Sequence, residues 1–371
     1  MTTRLMVADS EHDANMLYAT RMFVPDPFIW FETRGRSFAV MSDLEIDRAR
    51  REAQVDRVLS FSQYQRQLQR AGVNQPRFSD VLNQVLREFR VRRVEVPMNF
   101  PVGLAKRLRR IRVVVKSDPF FPKREIKTAA EIAVLGKATH LAEEGMLAGI
   151  SLLKRSRIGR DGFLYWQNRK LTSENVQGAI NAAIARLGGV ASRTIVAGGN
   201  QGCDPHEVGH GPLRVHTTII LDIFPRDMRT GYWGDITRTV VRGRASEAVK
   251  KLYAVVGRAQ QLAFGKLRAG ANGQDVHGAI HSLFVREGYK TGVIRGRMQG
   301  FFHGTGHGLG LEIHERPRVS IASEVLRAGQ VVTVEPGLYY RGVGGVRLED
   351  VAVIQQNGAR NLTRFPKALE I

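Results

Sequence analysis

Residues 219–239 read IILDIFPRDMRTGYWGDITRT, two apolar segments separated by a polar one. Segments 219–224 and 232–241 have the β-branched and aromatic composition of strands, and residues 225–231 have that of a loop. We therefore predict an antiparallel hairpin with a long loop. Asp222 and Asp235 each lie in one of its apolar strands, where an ionised carboxylate is costly unless a cation compensates its charge.

Two further carboxylates have the same apolar surroundings. Glu335 lies in VVTVEPGLY (331–339) and Glu349 in GGVRLEDVAV (344–353). One such residue has a simple explanation in a local ion pair, but four are harder to explain that way. His307 adds a nitrogen ligand within the glycine-rich stretch FFHGTGHGLGLEIHE (301–315). A histidine-carboxylate set without cysteine suits manganese, cobalt, iron or zinc, and four carboxylates could bridge two ions.

The chain is too long for a single core, so we predict two domains, 1–118 and 119–371, separated at Ser117-Asp118-Pro119. The first reads as a small α/β unit and the second as α+β. Apolar periodicity predicts helices at 44–72, 78–89, 125–153, 171–187, 246–267 and 274–287. Besides the hairpin, short β-branched runs predict strands at 93–96, 111–115, 331–334 and 346–354.

The net charge of +21 favours an anionic partner, although the basic residues are spread along the chain with one dense run at 106–112, KRLRRIR. No basic run is interleaved with aromatic residues, so we expect nucleic-acid contact to be weak and non-specific. Cys203 is the only cysteine, which excludes an intrachain disulfide. The chain has neither a membrane-length apolar run nor the apolar core of a signal peptide, so we expect it in the cytoplasm, without a membrane partner.

Taken in order, these motifs resemble the metal-site motifs of the methionine aminopeptidase/prolidase superfamily, and the chain resembles the M24-type aminopeptidase P/Xaa-Pro dipeptidase family. The resemblance implies a C-terminal catalytic pita-bread domain. The segments DANMLYAT (13–20) and PDPFIWFE (25–32) resemble a creatinase/prolidase-type N-terminal domain. The family's five metal ligands fall on Asp222, Asp235, His307, Glu335 and Glu349.

The same resemblance implies a dinuclear site with a bridging hydroxide that cleaves the bond between an N-terminal residue and proline. Glu335 would also shuttle a proton, His303 and His314 would position substrate, and His206 in DPHEVG would stabilise the oxyanion. Arg347, two residues before Glu349, also matches, and it should share a strand face with that carboxylate. Manganese is the expected metal, with cobalt, zinc or iron as alternatives. The expected partners are a small peptide substrate and a second copy of the chain, in a homodimer.

The chain departs from the family at one point. Asp222 and Asp235 are thirteen residues apart where the family has eleven, and we assign the two extra residues to the loop 225–231. Asp227 in that loop has a turn-like context, so we reject it as the first ligand. His277 and His281 have metal-ligand spacing, but Gly278 replaces the glutamate of zinc peptidases, so an ordinary helix surface is the preferred interpretation.

Three alternatives share the fold. A methionine aminopeptidase-like exopeptidase would use the same five ligands, but those enzymes usually lack a domain like residues 1–118. Creatinase hydrolyses a non-peptide substrate without the full ligand set. A non-peptidase member that binds nucleic acid or protein would have lost ligands, and this chain has all five.

Overall fold

The computed structural model describes residues 3–371, which divide between Arg124 and Glu125 into two compact units. The boundary lies six residues beyond the predicted one between 118 and 119. Phe120 and Phe121 explain the difference, because both are buried in a core cluster of the first unit. The catalytic and creatinase-type assignments of the two domains remain predictions.

The N-terminal unit is built on a six-stranded sheet in the order β4-β3-β2-β1-β5-β6. Helices α3 and α4 contribute to the core on one face, and α1 and α2 contribute to the core on the other. Its elements are β1 Thr3–Ala8, α1 Ala14–Thr20, β2 Phe28–Thr33, β3 Arg36–Met41, α2 Ile46–Glu52, β4 Arg57–Ser60, α3 Phe61–Arg70, α4 Phe78–Glu88, β5 Arg93–Val96, α5 Val102–Ala105 and β6 Arg112–Val115.

The prediction of one helix over residues 44–72 is wrong. The segment forms α2, β4 and α3, with β4 added in parallel to β3 at the edge of the sheet. Asp56 fixes the break, because its carboxylate accepts hydrogen bonds from the backbone N–H and the hydroxyl of Ser37 at the start of β3. Helical periodicity continues across the break, so the sequence pattern did not reveal it.

The C-terminal unit has two halves of similar design. In the first, α6 and α7 pack on the sheet β11-β12-β14; in the second, α8 and α9 pack on the sheet β18-β17-β19-β22-β23. Its helices are α6 Ala129–Arg155, α7 Ser173–Arg186, α8 Glu247–Lys266 and α9 Gly273–Arg286, with 3-10 turns at Pro122–Glu125, which spans the boundary, and Gln201–Cys203. Its strands are β7 Arg157–Ile158, β8 Leu164–Trp166, β9 Arg169–Lys170, β10 Gly189–Ala191, β11 Ile195–Gly198, β12 Thr218–Ile223, β13 Pro225–Asp227, β14 Ile236–Val241, β15 Gly292–Ile294, β16 Arg297–Gln299, β17 Gly306–Gly308, β18 Glu315–Val319, β19 Val331–Val334, β20 Gly337–Tyr340, β21 Gly344–Arg347, β22 Asp350–Gln355 and β23 Gly358–Asn361.

The four long helices predicted for this unit correspond to α6–α9. Side-chain caps set where they begin: Thr128 and Glu131 form a capping box on α6, and Ser246 and Asn272 cap α8 and α9. No helix in residues 3–371 combines the length and apolar character needed to cross a bilayer.

The predicted hairpin is present, with β12 antiparallel to β14 and Asp222 opposite Thr237. Its second strand starts at Ile236, four residues later than predicted. A single strand over 346–354 is wrong, because β21 pairs with β20 and β22 pairs with β19. The chain changes sheets at Leu348 and Glu349, so Arg347 and Glu349 do not lie on one continuous strand.

Candidate active site

A pocket of about 750 Å³ is lined by both halves of the C-terminal unit. The structure brings all the sequence-predicted site residues to this one pocket. They are His206, Asp222, Asp235, His303, His307, His314, Glu335, Arg347 and Glu349.

The first half of the unit contributes two carboxylates from the hairpin. Asp222 lies on β12, and Asp235 directly precedes β14, where it is buried. Gly234 lets this segment pass close to α6, because a Cβ atom there would lie 2.0 Å from the carbonyl oxygen of Ala138. The two aspartates therefore face the pocket from the two arms of the hairpin.

The second half contributes the histidine and two glutamates. His307 lies on β17, Glu335 follows β19, and Glu349 lies between β21 and β22. The His307 Nε2 atom is 3.4 Å from a Glu335 oxygen and 3.8 Å from an Asp235 oxygen. Potential ligand atoms of Asp235, His307 and Glu349 all lie within 4.8 Å of one another, a spacing suited to sharing a cation.

The carboxylates repel one another in a buried site. Burial, followed by the charges of the neighbouring carboxylates, raises the pKa of Asp235 and Glu349 well above their usual values. Burial is also the main cause that raises the pKa of Glu335 to about 7. Within residues 3–371, Arg347 is the guanidinium that contacts the group, through Asp222 at 2.6 Å. One guanidinium leaves most of the charge uncompensated, so this oxygen-rich cluster fits divalent cations.

The ring of His307 is held neutral and correctly oriented for a metal. Burial lowers its pKa to about 3. Its Nδ1 atom lies 3.1 Å from the carbonyl oxygen of Gly308, to which it can donate. In this tautomer the proton is on Nδ1 and the Nε2 lone pair faces the carboxylates. A histidine that binds a metal through Nε2 requires the same tautomer.

Two threonine hydroxyls orient the acidic side chains, and sequence analysis did not identify them. The Thr237 hydroxyl donates to Glu349 at 2.7 Å and accepts from Arg347 Nε at 3.2 Å. The Thr333 hydroxyl donates to Glu335 at 3.1 Å. Thr237 is two residues from Asp235, and Thr333 is two residues from Glu335. Residues at this spacing share a face of a strand, so the sequence could have indicated both threonines.

Tyr339 is a second residue that sequence analysis missed. Its buried hydroxyl accepts from Arg347 at 2.9 Å and lies 2.9 Å from His303 Nε2. The His303 Nδ1 atom lies 2.8 Å from the carbonyl oxygen of Gly304, so both ring nitrogens have protein partners. A substrate contact by His303 would therefore require one of these bonds to open, and its positioning role remains a prediction.

The other predicted histidines lie at exposed positions of the pocket. The His314 ring stands perpendicular to that of His307, with centroids 4.4 Å apart, and His206 lines the same opening. Two arginines that the sequence did not single out also line the pocket. Arg318 lies opposite His307 in the β17–β18 pair, and Arg193 precedes β11.

The remaining candidates lie outside the pocket lining. The Asp227 carboxylate accepts from the backbone N–H groups of Arg229 and Thr230, so it closes its own turn. His277 Nδ1 is 3.0 Å from the Thr305 hydroxyl. Local hydrogen bonds therefore account for these two side chains.

Comparison with solved structures shows the fold. The chain superimposes over its whole length on an Xaa-Pro dipeptidase from Bacillus anthracis, with a TM-score of 0.83, 95% coverage of that chain and 23% identity. It matches prolidase from Pyrococcus furiosus with a TM-score of 0.78 over 99% of this chain and 97% of that one, also at 23% identity. The predicted fold class, a pita-bread unit preceded by a smaller α/β unit, is confirmed.

Sequence relatives cover a shorter region. The chain is 34% identical over 251 residues to the uncharacterized peptidase YqhT of Bacillus subtilis, and 31% identical over 250 residues to the Xaa-Pro dipeptidase of Pyrococcus furiosus. These matches cover 67% and 66% of this chain and span 65% of the length of each relative. The model of metallopeptidase family M24 matches residues 133–356, which include every predicted ligand. This chain belongs to metallopeptidase family M24.

Proposed function

We propose that the chain is a metal-dependent exopeptidase that cleaves the bond between an N-terminal residue and a following proline. The observation that carries this proposal is the convergence of four carboxylates and one neutral histidine on a single pocket. The Xaa-Pro dipeptidase among the relatives supports the choice of substrate. The five residues Asp222, Asp235, His307, Glu335 and Glu349 are the proposed ligands of two divalent ions, with manganese as the first candidate.

The donor set fits the proposed cofactor. Two doubly positive ions would balance the four negative charges of the carboxylates. When bound there, such ions supply an activated water and polarise the scissile carbonyl group. The ring nitrogen of His307 supports manganese, cobalt, iron or zinc over calcium or magnesium.

The chain's own side chains supply the proton transfer and the orientation. Glu335 takes a proton from the attacking water at a carboxylate oxygen and delivers it to the leaving proline nitrogen. His206 donates a hydrogen bond to the oxyanion that forms at the scissile carbonyl. His314 contacts the substrate, while His303 and Arg347 position the site through Tyr339 and Asp222.

Proline explains why a specialised enzyme is needed. Its peptide nitrogen has no hydrogen to donate, so a peptidase that grips that N–H loses a contact. A site that holds the scissile carbonyl and the free amine does not need it. In an Xaa-Pro dipeptide the proline carries the C-terminal carboxylate, and Arg193 and Arg318 in the pocket lining offer charge partners for it. We therefore propose that dipeptides are as good as, or better substrates than, longer peptides.

A peptide panel tests the proposal. Metal-loaded protein is incubated with an Xaa-Pro dipeptide, an Xaa-Pro-Yaa tripeptide and a Met-Ala-Yaa peptide at equal concentration, and products are read by mass spectrometry. The dipeptide should be cleaved at least as fast as the tripeptide. Faster cleavage of the tripeptide would indicate an aminopeptidase P.

The panel also separates the alternatives. Cleavage of Met-Ala-Yaa alone would indicate a methionine aminopeptidase. Failure to cleave any of the three at full metal occupancy would contradict the peptidase proposal for these substrates. A homodimer remains part of the proposal.

A further inference from the structure

We propose that a basic patch on the N-terminal unit binds the phosphate backbone of double-stranded nucleic acid. The patch lies where α4, β5, β6 and the segment between α5 and β6 meet, at the β6 edge of the sheet. It consists of nine exposed side chains, Arg87, Arg90, Arg92, Arg93, Lys106, Arg107, Arg109, Arg110 and Arg112.

Backbone contacts hold the parts of the patch together. Arg93 and Arg112 are direct neighbours on the parallel strands β5 and β6, and the N–H of Arg112 donates to the carbonyl of Arg92 at 2.8 Å. Asn83 on α4 ties down the segment before β6. Its side chain donates to the carbonyl of Arg107 at 2.9 Å and accepts from the N–H of Arg109 at 2.8 Å. The charges are therefore presented by a fixed scaffold.

In the segment 106–112 the apolar side chains face the core and the basic side chains face solvent. Leu108 is buried and Ile111 is partly buried against the core of the N-terminal unit, while the five basic residues between positions 106 and 112 are exposed. The segment therefore offers charge to solvent and keeps its apolar side chains inside. A surface that inserts into a lipid bilayer exposes apolar residues, and Met98, Val102 and Val115 on the neighbouring elements are exposed, so anionic lipid is the competing partner.

The charge of the patch is not neutralised by the protein. Between positions 87 and 112 the sequence has nine basic residues and two acidic ones, Glu88 and Glu95, so this stretch contributes +7 of the net +21. None of the nine forms an ion pair with an acidic side chain of residues 3–371. Most exposed arginines elsewhere on a protein are simply solvated, but this density of one sign on one edge creates a local positive field.

Two of the arginines occupy backbone positions that favour other residues. Arg90, just after the end of α4, has φ +55°, and Arg110 has φ +56°. Glycine or asparagine is the usual residue in this left-handed conformation, at a helix end in particular. Both residues add charge to the patch, but this conformation does not distinguish it, because Arg21, Arg34, Arg193 and Arg295 adopt it elsewhere.

The chemistry of the patch favours a phosphate backbone. Eight of the nine side chains are arginines, whose guanidinium groups can pair with two phosphate oxygens at once. The nearby rings of Phe89 and Phe100 pack against the core, so they provide no platform for unstacked bases. A duplex offers a dense row of phosphates without requiring base contacts, and binding should be independent of sequence and sensitive to salt.

The test measures duplex binding by fluorescence anisotropy with the full chain. The patch variant carries Arg92→Gln, Arg109→Gln and Arg110→Gln. The matched control carries Arg50→Gln, Arg51→Gln and Arg57→Gln, three exposed arginines on α2 and β4 at the opposite edge of the same sheet. Both lose the same charge, so a difference between them reports the location rather than the total charge.

Wild type should bind labelled DNA and RNA duplexes of unrelated sequence at about 50 mM salt and release them near 200 mM. The patch variant should bind at least about tenfold more weakly, with its salt slope reduced by about 2 to 3. The control should keep most of the affinity. Equal losses in both variants, no duplex binding by wild type, or tighter binding to vesicles of anionic lipid than to the duplexes would each overturn the proposal.

Discussion

At the scale of single residues, the acidic site depends on hydroxyl groups as well as on charge. Thr237 connects Glu349 to Arg347, and Thr333 connects Glu335 to the backbone N–H of His307. These contacts fix the directions of carboxylates that would otherwise repel one another. Partners of this kind tune ligands without touching a metal themselves.

Replacing Thr237 with valine tests that role. Thr237→Val keeps the shape of the side chain but removes the bonds to Glu349 and Arg347. We expect affinity for manganese to fall by about 10- to 100-fold, measured by calorimetric titration. Thr239→Val is the matched control, because the Thr239 hydroxyl bonds to the backbone of Arg347 and not to a carboxylate of the described residues. Equal metal affinity in wild type and Thr237→Val would contradict the role of this hydroxyl.

The raised pKa of Glu335 predicts a pH effect in metal-free protein. Its pKa is about 7 in the folded chain against 4.5 for an unperturbed glutamate. Between these two pH values the carboxyl group is mostly ionised in the unfolded chain and mostly protonated in the folded one. The free energy of unfolding therefore falls as the pH rises. We expect Glu335→Gln to gain stability relative to wild type as pH rises from 4.5 to 7, measured by urea unfolding.

The buried histidines, whose lowered pKa values act in the opposite direction, are present in both proteins and do not contribute to the difference. The Glu335 charge also raises the pKa of Asp235 and Glu349, so its removal stabilises the variant further in the same direction. Saturating manganese should reverse the order, since wild type then gains a bound ion that the glutamine variant holds less well. A stability difference that stays constant over this pH range would refute the pKa argument.

At the scale of elements, the site depends on where the chain leaves each strand. Asp235 precedes β14, Glu335 follows β19, and Glu349 occupies the step between β21 and β22. Arg238 on β14 supports that step, because its buried guanidinium donates to the carbonyl of Glu349 and pairs with Asp350 at 2.8 Å. Side chains at strand ends can converge in a way that side chains along one strand face cannot.

A glycine substitution tests how closely the hairpin must approach α6. In Gly234→Ala the added methyl would lie 2.0 Å from the carbonyl oxygen of Ala138, so the segment before Asp235 must shift. We expect a loss of roughly 2 to 4 kcal/mol in the free energy of unfolding and weaker metal binding.

Gly178→Ala on α7 is the control for this substitution. Beyond its two chain neighbours and the backbone of its own helix, no atom of residues 3–371 lies within 4 Å of its added Cβ atom, so the helix should gain about 0.5 to 1 kcal/mol. Urea unfolding and metal titration of both variants measure the two effects. A Gly234→Ala protein as stable and as tightly metal-binding as wild type would show that the close approach is not required.

At the scale of the whole molecule, sequence reasoning succeeded where patterns are long or motifs are specific. The apolar periodicity predicted α6–α9, and the motifs around Asp222 and His307 indicated the family. It failed where tertiary pairing overrides a local pattern. Residues 44–72 are helical in periodicity, yet their middle pairs as β4, and residues 346–354 are continuous in composition, yet they divide between two sheets.

The supporting residues of the site could be found only in part from the sequence. Thr237 and Thr333 alternate with carboxylates, so a strand pattern could have indicated them. Tyr339 could not be assigned in that way, because its contacts with Arg347 and His303 depend on β20 lying beside β21. Long-range strand pairing brings these side chains together, and local sequence patterns do not show that pairing.

The central claim is that the five side chains of the pocket bind two divalent ions. Its most direct test is elemental analysis of wild type, Asp235→Asn and Asp227→Asn after dialysis against manganese. Asp227 is the matched control because it lies in the same hairpin loop but caps its own turn. We predict about two ions per chain in wild type and Asp227→Asn, and at least one fewer in Asp235→Asn. Unchanged metal content in Asp235→Asn, or no manganese retained by wild type, would contradict the account.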